Sequence, residues 1–183
     1  TSAATAEEAK MLCCMAAFQA HSIQYDYDID YEAFDVNGAF LHIDLVSPVM
    51  IVTRVPKNID HPYAGRMVIV RKCCYGLRQS NKAFADDFHK TILKAGFAST
   101  LDPCVYMKCD LSTTPIRRCY ISTHVDDGKA AFNYRPYYDR LVTTLEKRYG
   151  PLKKGVLTGF TGTSFTKHAN RAFSRDQAGF TLR

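Results

Sequence analysis

Two helix-forming stretches, each closed by a glycine, bracket a pair of strands and leave more strand-forming sequence on either side of them. This order constrains the fold more than any other feature of the chain. The first stretch is expected over residues 80–95, capped by Ser80 or Asn81, with Phe84, Phe88, Ile92 and Leu93 on one face and Gly96 as a left-handed stop. The second has Pro136 in its first turn, runs to about Tyr149 and is closed by Gly150 and Pro151. Between them lie two β-branched and aromatic runs, 104–108 and 116–123, joined by a Ser/Thr/Pro turn. A tight connection over 124–128 lets 129–132 return as the second arm of a hairpin.

Outside the helices the period changes to two. Residues 25–31 alternate Tyr or Ile with Asp, which reads as an edge strand or hairpin arm with one acidic face, and 33–36 continues it. Gly38 then offers a turn into a short helix near 39–41. Strands are expected at 49–55 and 67–72 around a polar loop over 56–65, and a final hairpin at 156–166 and 171–174. At the N-terminus, Thr5 and Glu8 form a capping-box pattern ahead of a helix over 10–21. The order is that of an α+β fold, and 183 residues fit a single domain spanning 1–183.

The composition, 46% apolar and 23% charged, is that of an ordinary folded chain and excludes disordered and fibrous classes. The formal charge of +6 is unevenly placed. Up to Glu146 there are 16 basic and 17 acidic residues, whereas from Lys147 onward eight basic residues face Asp176 alone. The surplus therefore belongs to the C-terminal stretch, where Phe160, Phe165, Phe173 and Phe180 are interleaved with it, a pattern suited to a nucleic-acid backbone. Seven cysteines, an odd number without a CxxC, indicate neither a disulfide framework nor a zinc finger and point to a reducing, intracellular compartment. The longest apolar run, 11–18, is far short of the roughly 20 residues that span a bilayer, so no membrane partner is expected.

Carboxylates in apolar settings are the candidate chemistry. Asp35 sits between Phe34 and Val36 at a strand end, and Asp126 and Asp127 follow Ile121 and Val125 at a strand turn. Successive strand residues point to opposite faces, so only one of the adjacent pair can face a third carboxylate across the sheet. Hard oxygen ligands from few residues are what two magnesium ions about 3.5–4 Å apart require, with phosphates and water completing their shells. Paired aspartates at turns are also common for purely local reasons, since Asp bonds readily to nearby backbone.

The string Phe34-Asp35-Val36-Asn37-Gly38-Ala39-Phe40-Leu41-His42 resembles the first palm motif of copia-type (Pseudoviridae) retrotransposon reverse transcriptases. Cys74-Tyr75-Gly76-Leu77-Arg78-Gln79 resembles the second, and His124-Val125-Asp126-Asp127 the third, with His124 in the place of the usual Tyr. Gly96-Phe97, 102–106, Tyr149-Gly150 and Phe160-Thr161-Gly162 fall where further motifs of that family would lie, and the match is collinear over nearly the whole chain.

The resemblance implies a reverse-transcriptase palm with a ferredoxin-like βαββαβ core and a C-terminal β-hairpin. Asp35 and Asp126 would be the metal ligands for two Mg²⁺ ions, with Asp127 a supporting carboxylate. Phe40 would be a steric gate against a ribose 2′-hydroxyl, although such a residue is equally a plain core aromatic. Gly76, Arg78 and Gln79 would contact the incoming nucleotide and the template, and Gln79 could equally help to cap its helix. Phe160 and Gly162 would correspond to the hairpin that grips the primer, and Lys153, Lys154, Arg171 and Arg175 of the basic C-terminal stretch are expected to bind nucleic acid. The partners implied are an RNA template, a DNA primer and deoxynucleotide triphosphates.

Against the family pattern the fingers, thumb and ribonuclease H regions are missing, and Ser80, Asn81 and 83–84 depart from the second motif. Little polymerase activity is therefore expected from these residues alone, because positioning of the triphosphate supplies much of phosphoryl-transfer catalysis. The alternative is a non-catalytic, retrotransposon-derived subunit of a ribonucleoprotein such as a ribosome, bound to structural RNA and neighbouring proteins.

Overall fold

The computed structural model describes residues 28–156, 159–160, 163–167 and 173–176. The expected capping box and helix over 10–21, and the turn around Ala169 and Asn170, lie outside the described residues.

The chain is mixed α+β and divides into two compact units, residues 38–89 forming one and the sequence on either side forming the other. The larger unit is built on a six-stranded sheet. Its strands are β1 (Asp30–Asp35), β4 (Ala98–Ser99), β5 (Val105–Asp110), β6 (Arg117–His124), β7 (Asp127–Phe132) and β8 (Lys153–Val156), in the spatial order β4-β5-β6-β7-β1-β8. All the pairings are antiparallel. The expected strands of 104–108, 116–123 and 129–132 correspond to β5, β6 and β7.

Helix α2 (Arg135–Tyr149) lies over β6 and β7, and Phe132 stacks on Tyr138 with ring centroids 4.9 Å apart. Its buried stripe is Tyr138, Leu141, Val142, Leu145 and Tyr149, the spacing of one apolar helix face. Pro136 occupies its first turn, and Gly150 closes it at φ 79° and ψ −171°, a positive-φ conformation that the missing Cβ leaves open to glycine. Against this layer the sheet buries Cys119, Ile121 and Thr123 of β6 and Ala130 and Phe132 of β7.

Helix α1 (Arg78–Lys94) begins in the smaller unit, and its last turn belongs to the larger. The helix starts two residues before Ser80, whose Oγ instead accepts the Cys74 amide at 3.1 Å while the side chain is buried. Phe84, Phe88 and Ile92 are buried, whereas Leu93, one residue further round the helix, is exposed. Gly96, at φ 87°, stops the helix as expected.

In the smaller unit a 3-10 turn (Ala39–His42) follows Gly38, and two short strands, β2 (Val52–Arg54) and β3 (Met67–Ile69), pair as a ribbon. Both are shorter than the β-branched runs that contain them. Val52, Met67 and Ile69 are exposed, so most of these apolar side chains find no core to extend the pairing.

Two local expectations differ from the structure. The strand over 30–35 is not at an edge: β1 lies between β7 and β8. The stretch 156–166 is not one hairpin arm, because β8 joins the large sheet while β9 (Gly159–Phe160), β10 (Thr163–Lys167) and β11 (Phe173–Asp176) form a separate three-stranded sheet.

Candidate functional site

The register of the large sheet lines up four polar residues on the face turned away from α2. His124 on β6 is opposite Asp127 on β7, Asp127 is opposite Asp35 on β1, and Asp35 is opposite Lys153 on β8. Directly opposed side chains in antiparallel strands start from Cβ atoms only about 4.5–5.5 Å apart. One row thus carries an imidazole, two adjacent carboxylates and an ammonium.

Two local devices fix this row. The first is the contact between Phe34 and Gly128, which are themselves register partners. The Phe34 ring fills the space a Cβ at position 128 would occupy, so only glycine lets the strands close in this register. The second is the hairpin tip. The His124–Asp127 pair closes a two-residue loop of Val125 and Asp126, and such loops demand positive φ in the first central residue. Val125 supplies it at φ 54°, a conformation that costs a β-branched residue on the order of 1–3 kcal/mol. The Val36 amide donates to the Asp126 carbonyl at 3.1 Å, which ties the end of β1 to this strained tip.

The electrostatics follow from the geometry. The Asp127 carboxyl is pushed above the usual carboxylate range, first by burial and then by the like charges of Asp35 and Asp126, with Lys129 and His124 pulling the other way. Lys129 shares this face two residues along β7 and is only 6% exposed. Lys153 reaches Asp35 with Nζ 3.8 Å from Oδ2, and its side chain is 75% exposed against 31% for Asp35.

Asp35, Asp126 and Asp127 thus belong to one unit, and it is Asp127 that the register sets opposite Asp35. Among the described residues no three His, Cys, Asp or Glu side chains gather as a ready-made metal cage. Two facing carboxylates suit a hard cation that takes most of its shell from water and ligand oxygens, as Mg²⁺ does.

Phe40, Gly76, Arg78 and Gln79 lie in the other unit. Phe40 is 3% exposed and packs edge-on against Tyr75 and Phe84, with centroids 4.7 and 5.9 Å away, which is the setting of a core aromatic. Gly76 adopts φ 89° in open surroundings, and Arg78 is exposed in the first turn of α1. Lys154 is committed to Glu146 at 2.6 Å. Phe160 lies in β9 and Arg175 in β11, while Gly162 and Arg171 fall outside the described residues.

Sequence reasoning assigned Lys153 to nucleic acid and missed its contact with Asp35. It gave Lys129 no role. It placed Gly128 in the tight connection over 124–128, whereas Gly128 lies inside β7, where a lone glycine signals close backbone or side-chain approach. Compared with known proteins, the chain matches no family model, no curated protein and no solved structure. No described helix is long and apolar enough to cross a membrane, and none of the five described cysteines is in a disulfide.

Proposed function

We propose that the chain is the palm region of an RNA-directed DNA polymerase of the copia retrotransposon type, carrying out nucleotidyl transfer at Asp35, Asp126 and Asp127. The observation that carries this reading is the cross-strand register of Asp35 with Asp127, which joins the first and third palm-like motifs on one sheet face. The strand order β8-β1-β7-β6, with α1 between β1 and β6 in sequence and α2 between β7 and β8, supports it as the order of a ferredoxin-like βαββαβ unit.

In this reading Asp35 and Asp127 present hard oxygens from the centre of the sheet, and Asp126 adds a third carboxylate from the hairpin tip. Bound Mg²⁺ would supply activation of the primer 3′-hydroxyl and charge stabilisation for the leaving pyrophosphate. The residues themselves do the positioning: Phe34 against Gly128 holds the register, and the strained Val125 turn fixes the tip. Lys129, two residues along β7 on the same face, offsets part of the negative charge. The test is incorporation of deoxynucleotides on an RNA template, with Asp35→Asn and Asp126→Asn as controls.

A further inference from the structure

Three carboxylates, Asp35, Asp126 and Asp127, share this part of the sheet with two lysines, and the two lysines are held very differently. Lys129 is in mid-strand on β7, flanked by β6 and β1, and is almost fully buried. Lys153 is on β8 at the sheet edge, with a largely exposed side chain whose ammonium stands at the outer limit of an ion pair with Asp35. One cation is built in; the other is tethered beside the carboxylates by a flexible four-carbon stem.

We propose that Lys153 is a displaceable internal counter-ion that competes with a divalent cation for the Asp35–Asp127 pair and so sets how tightly that cation is held. The inference rests on the cation-binding role given to these carboxylates above. When the ammonium is near Asp35 it lowers the negative potential that attracts a second cation, and an incoming divalent ion has to displace it. The displacement is cheap, because an exposed ion pair of this length contributes little by itself. Like charges placed directly opposite in a sheet repel, so Lys153 also relieves the Asp35–Asp127 pair when no divalent ion is present.

The test is Mn²⁺ binding, followed by electron paramagnetic resonance of the free ion, in the unaltered protein and in Lys153→Met, Lys153→Arg and Asp35→Asn. Lys153→Met is expected to tighten Mn²⁺ binding by roughly three- to tenfold, the scale of removing one partly screened charge. Lys153→Arg, which keeps the charge, is expected to stay close to the unaltered protein, and Asp35→Asn to lose the site. Binding that needs Asp35 but is unchanged or weaker in Lys153→Met overturns the counter-ion role and leaves the carboxylate reading standing. Absence of any Asp35-dependent binding overturns both.

Discussion

Asp35 and Asp127 stand directly opposite one another across β1 and β7, two carboxylates with no residue between them in the ladder. A folded chain gains nothing in stability from this arrangement. Burial and like charge both disfavour it, as the raised pKa of Asp127 records. The cation-binding role proposed above would account for its persistence.

Asp127→Asn is therefore expected to raise the melting temperature at neutral pH while weakening Mn²⁺ binding. The sign follows from linkage. A carboxyl whose folded pKa lies above its unfolded value favours the folded state while it is protonated, and this contribution is lost as pH rises through the folded pKa. The advantage of Asn should accordingly be present at pH 7 and disappear below the unperturbed carboxylate range of about 4. Thermal melts across that window check it, and a loss of stability at pH 7 would contradict it.

Gly128→Ala is expected to destabilise the larger unit by about 3 kcal/mol, the upper end of overpacking costs, because the new methyl coincides with the Phe34 ring. In a Phe34→Ala background the same change should cost far less. A double-mutant cycle by denaturant unfolding reads the difference.

Val125→Gly should stabilise the hairpin by about 1 kcal/mol, as relief of left-handed strain outweighs the added backbone entropy of glycine. Val125→Pro, whose ring fixes φ near −65°, should be strongly destabilising. Hydrogen exchange of the β6 and β7 amides would report both.

Phe40→Ala is expected to cost about 3–5 kcal/mol in stability, as loss of a buried aromatic does. An effect confined to the choice between ribose and deoxyribose, with stability unchanged, would favour the steric-gate role instead.

How much of this was legible in the sequence depended on the range of the interaction. Helix α2 and its stop were readable because Pro136, the apolar stripe from Tyr138 to Tyr149 and Gly150 are local signals. The β6–β7 hairpin was readable for the same reason. The interior position of β1 was not, since the strand that covers its second edge is the short basic segment Lys153–Val156, far away in sequence and without a strand-like pattern. The start of α1 was misplaced because Ser80 reads as a cap, whereas its hydroxyl is spent on the Cys74 amide. In the site itself the three aspartates could be picked out, and alternation showed that only one of the adjacent pair could face Asp35. Which one, and the arrival of Lys153 beside it, required the register.

The most direct test of the account is primer extension on an RNA template in Mg²⁺ by the protein expressed from its whole open reading frame. Unaltered protein should add deoxynucleotides in template order. Asp35→Asn and Asp126→Asn should each reduce the rate by about a hundredfold or more, as loss of a principal transition-state charge contact does. Extension that is absent from the unaltered protein, or that persists unchanged in Asp35→Asn, would contradict it.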